Sequence, residues 1–196
     1  MLNAAASRIV ELLDLVPLPA EGGYFRETYR SGEKIPSDAL PGRYQSRDCG
    51  RNHSTQIYFL LAPGVVSLMH LVQSDETFHH YAGDAVEQLQ IFPDGSAKVV
   101  VIGGDLEAGE RPQVVVPRGV WQGCRIQDRV VPAGASGNSG GPAGYALLGC
   151  TVSPGFEWAD FRLGTHEEML ALCPNADGKV ADLIAALTLG HGVSRQ

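Results

Sequence analysis

The sequence predicts an all-β barrel or sandwich bracketed by short helices. Three observations carry that reading. Strand-like stretches recur at roughly 8–12-residue spacing between Ser54 and Val152. Glycine- and proline-containing turns separate them, within a total of 24 Gly and 12 Pro in 196 residues. Helical periodicity shows only at the two ends of the chain.

The first element is a short helix over about residues 7–16. Ile9, Leu12, Leu13 and Val16 share one face, Ser7 is the candidate N-cap, and Pro17 and Pro19 stop it. Gly22-Gly23 permits a sharp bend, and the aromatic run Tyr24 to Tyr29 favours a strand. Residues 31–53 are polar and read as a loop. The β-core, about 21–163, then contains candidate strands Thr55–Leu61, Val65–Val72, Glu76–Ala82, Val86–Phe92, Lys98–Ile102, Gln113–Val116, Gly119–Ile126 and Tyr145–Val152. The turns between them include Ala62-Pro63-Gly64, Ala82-Gly83-Asp84, Pro93-Asp94-Gly95 and Gly103-Gly104-Asp105. Residues 132–144, PAGASGNSGGPAG, read as a flexible hairpin loop because strand-like sequence resumes directly after them. Thr165-His166-Glu167-Glu168 fits a capping box opening a helix over about 166–173. A last helix, about 178–189, places Val180, Leu183, Ile184 and Leu187 on one face and ends near Gly190. The whole chain, 1–196, reads as a single domain.

Composition excludes several function classes. Apolar residues make up 44% and charged residues 19%, which is globular rather than disordered. Fifteen basic against 22 acidic residues give a net charge of -7. Such a chain offers no basic surface for nucleic acid or an anionic membrane, so neither partner is expected. No apolar run reaches the length of a membrane span, and the start lacks the basic-then-apolar pattern of a secretory signal. A cytoplasmic location is therefore expected. Cys49, Cys124, Cys150 and Cys173 form no C-x-x-C pair, and reduced thiols are expected.

The chemistry-bearing segment runs from Gly64 to Gly83. Strand alternation puts Val66, Leu68, His70 and Val72 on one face. Beyond the turn at Gln73–Asp75, Glu76, Phe78 and His80 share one face, and Thr77, His79 and Tyr81 the other. A barrel interior can then gather His70, Glu76 and His80. A second segment, Val114 to Cys124, carries Trp121 and Gln122 just after the turn Pro117-Arg118-Gly119.

These segments resemble the two motifs of the cupin superfamily. Gly64, His70, Glu76 and Gly83 fall at the spacings of its first motif, with Val72 where a second His belongs. Pro117 and Gly119 match its second motif, with Gln122 in the His position. The wider pattern, EGGYFRETYRS at 21–31, STQIYFLLAPGVVSLMH at 54–70, YAGD at 81–84, GERPQVVVPRGVWQG at 109–123 and GCTVSPGFEWADF at 149–161, is similar to the small cupin subfamily long catalogued as a domain of unknown function. That resemblance implies a double-stranded β-helix, the RmlC-like jelly roll, paired as a homodimer. It also implies a fold likeness to sugar-nucleotide epimerases, and fold alone does not fix function. The sequence departs from the subfamily at Pro19-Ala20, at His80 and at Gln88 and Gln90.

At the positions that hold metal in other cupins stand His70, Val72, Glu76 and Gln122. Valine has no lone pair and an amide oxygen is a weak donor, so no cofactor is expected. Without metal, His70 and Glu76 read as an acid/base pair, His70 as base and Glu76 as its orienter. Tyr24, Tyr58 or Tyr81 is the candidate opposite acid. Arg26 and Arg118 are candidates to hold an anionic or polar group. The expected ligand-binding set is Tyr24, Arg26, Tyr58, Phe78, His79, His80, Trp121 and Gln122, around a small sugar-like or nucleotide-like molecule. Three functions stay open: a metal-independent epimerase or isomerase, a metal-dependent dioxygenase or isomerase, and a binding protein without turnover.

Overall fold

A computed structural model describes residues 2–44, 50–127 and 142–188. Its elements, in chain order, are α1 (Ala4–Leu12), β1 (Val16–Pro17), β2 (Tyr24–Arg30), β3 (Lys34–Ile35), β4 (Arg51–Asn52), β5 (Thr55–Leu61), β6 (Val66–Leu71), β7 (Asp75–Gly83), β8 (Val86–Ile91), β9 (Ala97–Ile102), β10 (Gln113–Val116), β11 (Trp121–Ile126), β12 (Ala146–Ser153), β13 (Arg162–Leu163), α2 (His166–Leu172) and α3 (Gly178–Ala186). Two antiparallel sheets carry the fold. One has six strands in the order β1-β2-β5-β12-β7-β10, the other five in the order β13-β6-β11-β8-β9. Neighbours in space are distant in sequence, as the jelly roll requires.

The inner faces of both sheets share one apolar core. Phe59, Leu61, Phe78, Val114, Val116, Leu148 and Cys150 come from the six-stranded sheet, and Val86, Ile102 and Cys124 from the five-stranded one. Helices close the outer faces. Met169 and Cys173, with Val180, Leu183, Ile184 and Leu187, cover Met69, Leu89, Ile91 and Trp121. Each of the aliphatic residues buried there contributes roughly 1.5–3 kcal/mol over its exposed state. On the opposite side α1 lays Ala6 over Leu60 and Ala62.

The capping chemistry explains the helix ends. Thr165 and Glu168 form the expected capping box, and Asp177 caps α3 by accepting from the Val180 amide at 2.9 Å. The start of α1 differs from the sequence expectation. Asn3, not Ser7, is its cap and accepts from the Ala6 amide at 2.8 Å; Ala4–Ala6 then extend the helix backwards as strong helix formers. The helix also ends before residue 16. Asp14 adopts a left-handed φ of 51°, which turns the chain so that Val16 pairs with Phe25 as a strand. The expected loop 31–53 contains the small ladder β3-β4 and the fully buried Arg51.

Two register shifts aim the side chains. On β6, His70 pairs with Gln122 and Ser67 with Cys124, so three residues span two of the partner strand. This bulge turns Ser67 inward along with His70, and Val66 instead packs toward the helices. Strict alternation over Val66, Leu68, His70 and Val72 is corrected accordingly. On β7, a shift after His80 leaves Tyr81 half exposed on the outer face.

Residues 128–141, including 132–141 of the expected hairpin loop, lie outside the described residues, as do Cys49 and Gly190. The segment's return is fixed. The Asp84 carboxylate accepts from the amides of Ala143 and Gly144, each at 2.7 Å. Cys124, Cys150 and Cys173 are buried free thiols.

Candidate active site

A hollow of about 110 Å³ opens between the sheets at the end where β5, β7 and β12 meet the close of β6. By the scale on which a dry 150 Å³ cavity takes benzene, it admits one small molecule or one end of a larger one. His70 reaches it from the five-stranded sheet and Glu76 from the six-stranded sheet.

His70 is 3% exposed, and its orientation is fixed. Its Nδ1 lies 2.7 Å from the carbonyl oxygen of Leu68. A carbonyl can only accept, so Nδ1 carries the proton, and in the neutral ring Nε2 holds the lone pair. Among the described residues Nε2 has no hydrogen-bond partner. The imidazole face stacks on Phe161 at 5.4 Å. Glu21, on the bend before β2, stands 3.9 Å from Nδ1 and accepts from Ser67 Oγ at 2.6 Å.

Glu76 is held by a chain of buried amides. Gln122 Nε2 donates to Glu76 Oε2 at 2.5 Å, Gln88 Nε2 to Gln122 Oε1 at 3.4 Å, and Gln90 Nε2 to Gln88 Oε1 at 2.7 Å. The glutamines that depart from the subfamily therefore support the carboxylate from behind. Burial pushes the Glu76 carboxyl up to about 6, against the pull of His70 and with the repulsion of Glu21 added. The Cys150 thiol also bonds Glu76, and burial with that carboxylate holds it protonated, well above the usual thiol range.

The mouth is built by two segments. Residues 154–161 bring Phe156, Trp158 and Phe161, mutually edge-to-face with centroids 5.2–6.4 Å apart. Arg51 ties this segment down through Gly155 O at 3.2 Å and Asp160 Oδ2 at 2.5 Å, and Thr55 Oγ1 accepts from the Phe156 amide at 3.0 Å. From β2, Arg30 bonds Glu27 at 2.8 Å and Glu157 at 3.0 Å across the opening.

The structure brings together only part of the set expected from sequence. His70 and Glu76 share the hollow, with Gln122 directly behind Glu76. No hydrogen bond joins His70 to Glu76 among the described residues; the Leu68 carbonyl orients the imidazole, which corrects the role expected for Glu76. His80 keeps the inward parity of Glu76 but sits beyond Phe78, its Nε2 at 3.3 Å from the Asp84 carbonyl. Phe78 is core. His79 points outward, against Tyr81 and Thr151. Tyr24 and Tyr58 pack with α1 on the outer face, and Tyr81 stands beside Tyr58 there. Arg26 pairs with Asp14 on that same face at 3.0 Å, and Arg118 is exposed and does not line the hollow. Trp121 faces the C-terminal helices under Arg162. Strand parity accounts for the outward placements on strands; Arg118 lies in the turn between β10 and β11. Sequence reasoning missed Glu21, Glu27, Arg30 and Arg51. Only Glu21 had a local signal, the Glu-Gly-Gly bend.

The donor set does not suit a divalent ion. Val72 lines the wall without a donor atom and the Gln122 amide is committed at both ends, which leaves His70 Nε2 and Glu76 as the strong donors at these positions. Among the described residues no three His, Cys, Asp or Glu groups cluster at ligating positions.

The family model of Cupin_5, a cupin superfamily family also designated DUF985, matches residues 7–164. The chain belongs to the cupin superfamily. This cupin is 30% identical over 152 residues to the uncharacterized protein YML079W of Saccharomyces cerevisiae, covering 76% of the chain and 71% of the relative. A solved hypothetical protein from Leishmania major is 32% identical with a TM-score of 0.74, covering 93% of this chain and 98% of that one. Protein SO0799 from Shewanella oneidensis is 32% identical with a TM-score of 0.72, covering 96% and 98%. A cupin-2 domain from Rhodospirillum rubrum, at 16% identity and a TM-score of 0.52 over 89% and 88%, shares the fold. No helix among the described residues is long and apolar enough to cross a membrane.

Proposed function

We propose that this cupin binds a small polar molecule in the hollow and moves a proton on it without metal, as an isomerase or epimerase. One observation carries the reading: the buried His70 presents an unpartnered Nε2 lone pair to an enclosed space. A lone-pair imidazole takes a proton from carbon beside a carbonyl, leaving the C–H electron pair in an enolate. Glu76, raised to about 6 and approaching from the facing sheet, is the group to return a proton to the carbon. A substrate between the sheets meets base on one side and carboxyl on the other.

The test is wash-in of solvent deuterium at the carbon beside the carbonyl of candidate keto-sugars. Exchange that disappears in His70→Ala supports the proposal. Ligands that bind the hollow but never exchange across a broad panel overturn it, in favour of a binding protein. We also propose the homodimer that the resemblance implies. Light scattering then gives about twice the 20.9 kDa chain mass, and a monomer contradicts it.

A further inference from the structure

The polar atoms facing the hollow are unevenly divided between donors and acceptors. His70 Nε2 is a lone pair. Glu76 accepts from the Gln122 amide and the Cys150 thiol with lone pairs to spare, and Glu21 keeps Oε2 open after Oε1 takes Ser67. Thr55 Oγ1 already accepts from the backbone. Two neutral donors stay available, the Thr55 hydroxyl proton and the Trp158 indole N–H at the mouth; the others are engaged. The Cys150 thiol is turned to Glu76, and Arg30 is shared between Glu27, Glu157, Asn52 Oδ1 at 3.1 Å and the Phe156 carbonyl. A ligand that brought only acceptors would leave the carboxyl oxygens of Glu76 and Glu21 unmatched.

Charge runs the same way. Arg30 is the one guanidinium at the opening among the described residues, and two carboxylates answer it. Glu21 and Glu76 add two acidic groups deeper in, close enough that Glu21 opposes ionisation of Glu76. An anion such as a phosphate or carboxylate would meet repulsion with no free cation to receive it. The aromatic faces of Phe156, Trp158 and Phe161 attract a positive charge through their π electrons.

Resting on the reading of the hollow as a ligand site, we infer that its occupant is a small molecule bearing a cationic amino group, with the ammonium held by Glu76 and Glu21 and the carbon body facing His70 Nε2. Anionic groups, including the diphosphate of a sugar nucleotide, are excluded from the interior. The ammonium supplies N–H donors to these two carboxyl groups, and the carbon body lies against the aromatic wall.

The experiment is a nuclear magnetic resonance titration of the intact protein with three isosteric probes: n-propylammonium, n-propanol and propionate. The expected result is saturable shifts at His70 and Phe161 with n-propylammonium, at an affinity at least about tenfold above n-propanol. Propionate leaves these signals unmoved. Glu76→Gln, which keeps an acceptor for Gln122, weakens n-propylammonium by about fivefold or more, and Glu157→Gln at the rim weakens it less. Propionate or n-propanol binding as tightly as n-propylammonium overturns the inference, as does Glu76→Gln and Glu157→Gln both binding it unchanged. The two proposals fail separately. Neutral keto-sugars that exchange deuterium without any preference for amines sink this inference alone. Amines that bind while no carbonyl compound exchanges sink only the proton-transfer proposal.

Discussion

Gln122 donates to Glu76 across 2.5 Å, from the central strand of one sheet to the facing sheet. The position that carries a metal-ligating His in other cupins by the resemblance here carries an amide that positions a carboxylate. The amide removes one strong donor from the hollow and holds the buried Glu76 carboxyl by a hydrogen bond.

The raised Glu76 carboxyl makes stability depend on pH. Its folded value of about 6 stands above the ordinary 4.5, so the folded state binds the proton more tightly than the unfolded chain. That contribution is complete below about 4.5 and is lost as pH rises through 6, a change of about 2 kcal/mol. Glu76→Gln removes it. The stability of Glu76→Gln relative to the native chain is expected to rise by about 2 kcal/mol between pH 4 and 7.5 in urea unfolding. A difference that stays flat with pH contradicts this.

Arg51 is expected to hold the aromatic wall. Its side chain is fully buried, pairs with Asp160 and lies 4.7 Å over the Tyr44 ring. Arg51→Met leaves a buried carboxylate without its partner and should cost about 3–5 kcal/mol. Replacing both, as Arg51→Met with Asp160→Leu, should restore most of that stability. Equal losses in the single and double variants would show that the ion pair is not the cause.

Gly22 sets the position of Glu21. Its φ is 100°, and a Cβ there would overlap the Val66 carbonyl oxygen. Gly22→Ala is expected to cost about 1–3 kcal/mol and to weaken n-propylammonium, because the backbone must shift at the neighbouring carboxylate. Denaturation and the probe titration read the two effects; unchanged affinity would remove Glu21 from the site.

Metal loading tests the donor set. Protein equilibrated with excess manganese or nickel and then desalted should retain far less than one equivalent by mass spectrometry of the metals. Retention of a full equivalent that His70→Ala abolishes would return this cupin to metal chemistry.

The strands were legible because their alternation and turns are local. Thr55–Leu61 and Gln113–Val116 coincide with the expected ranges. The site was legible in part. His70 and Glu76 were visible through motif spacing, but their surroundings were not, because Leu68 and Glu21 reach His70 through a bulge and a bend and Gln88 supports Glu76 only through Gln122. The tyrosines and Arg26 looked available because polarity does not tell which face of a two-faced sheet is the inside. Arg51 was hidden in a stretch whose composition reads as loop. Its burial follows from Asp160, 109 residues away.

The account rests on the state of the His70 ring, and nitrogen-15 spectra of labelled protein read it directly. They should show the Nδ1–H tautomer, with the bare Nε2 resonance moving as n-propylammonium saturates the hollow. An Nε2–H tautomer, or an Nε2 signal indifferent to every ligand that binds, would contradict it.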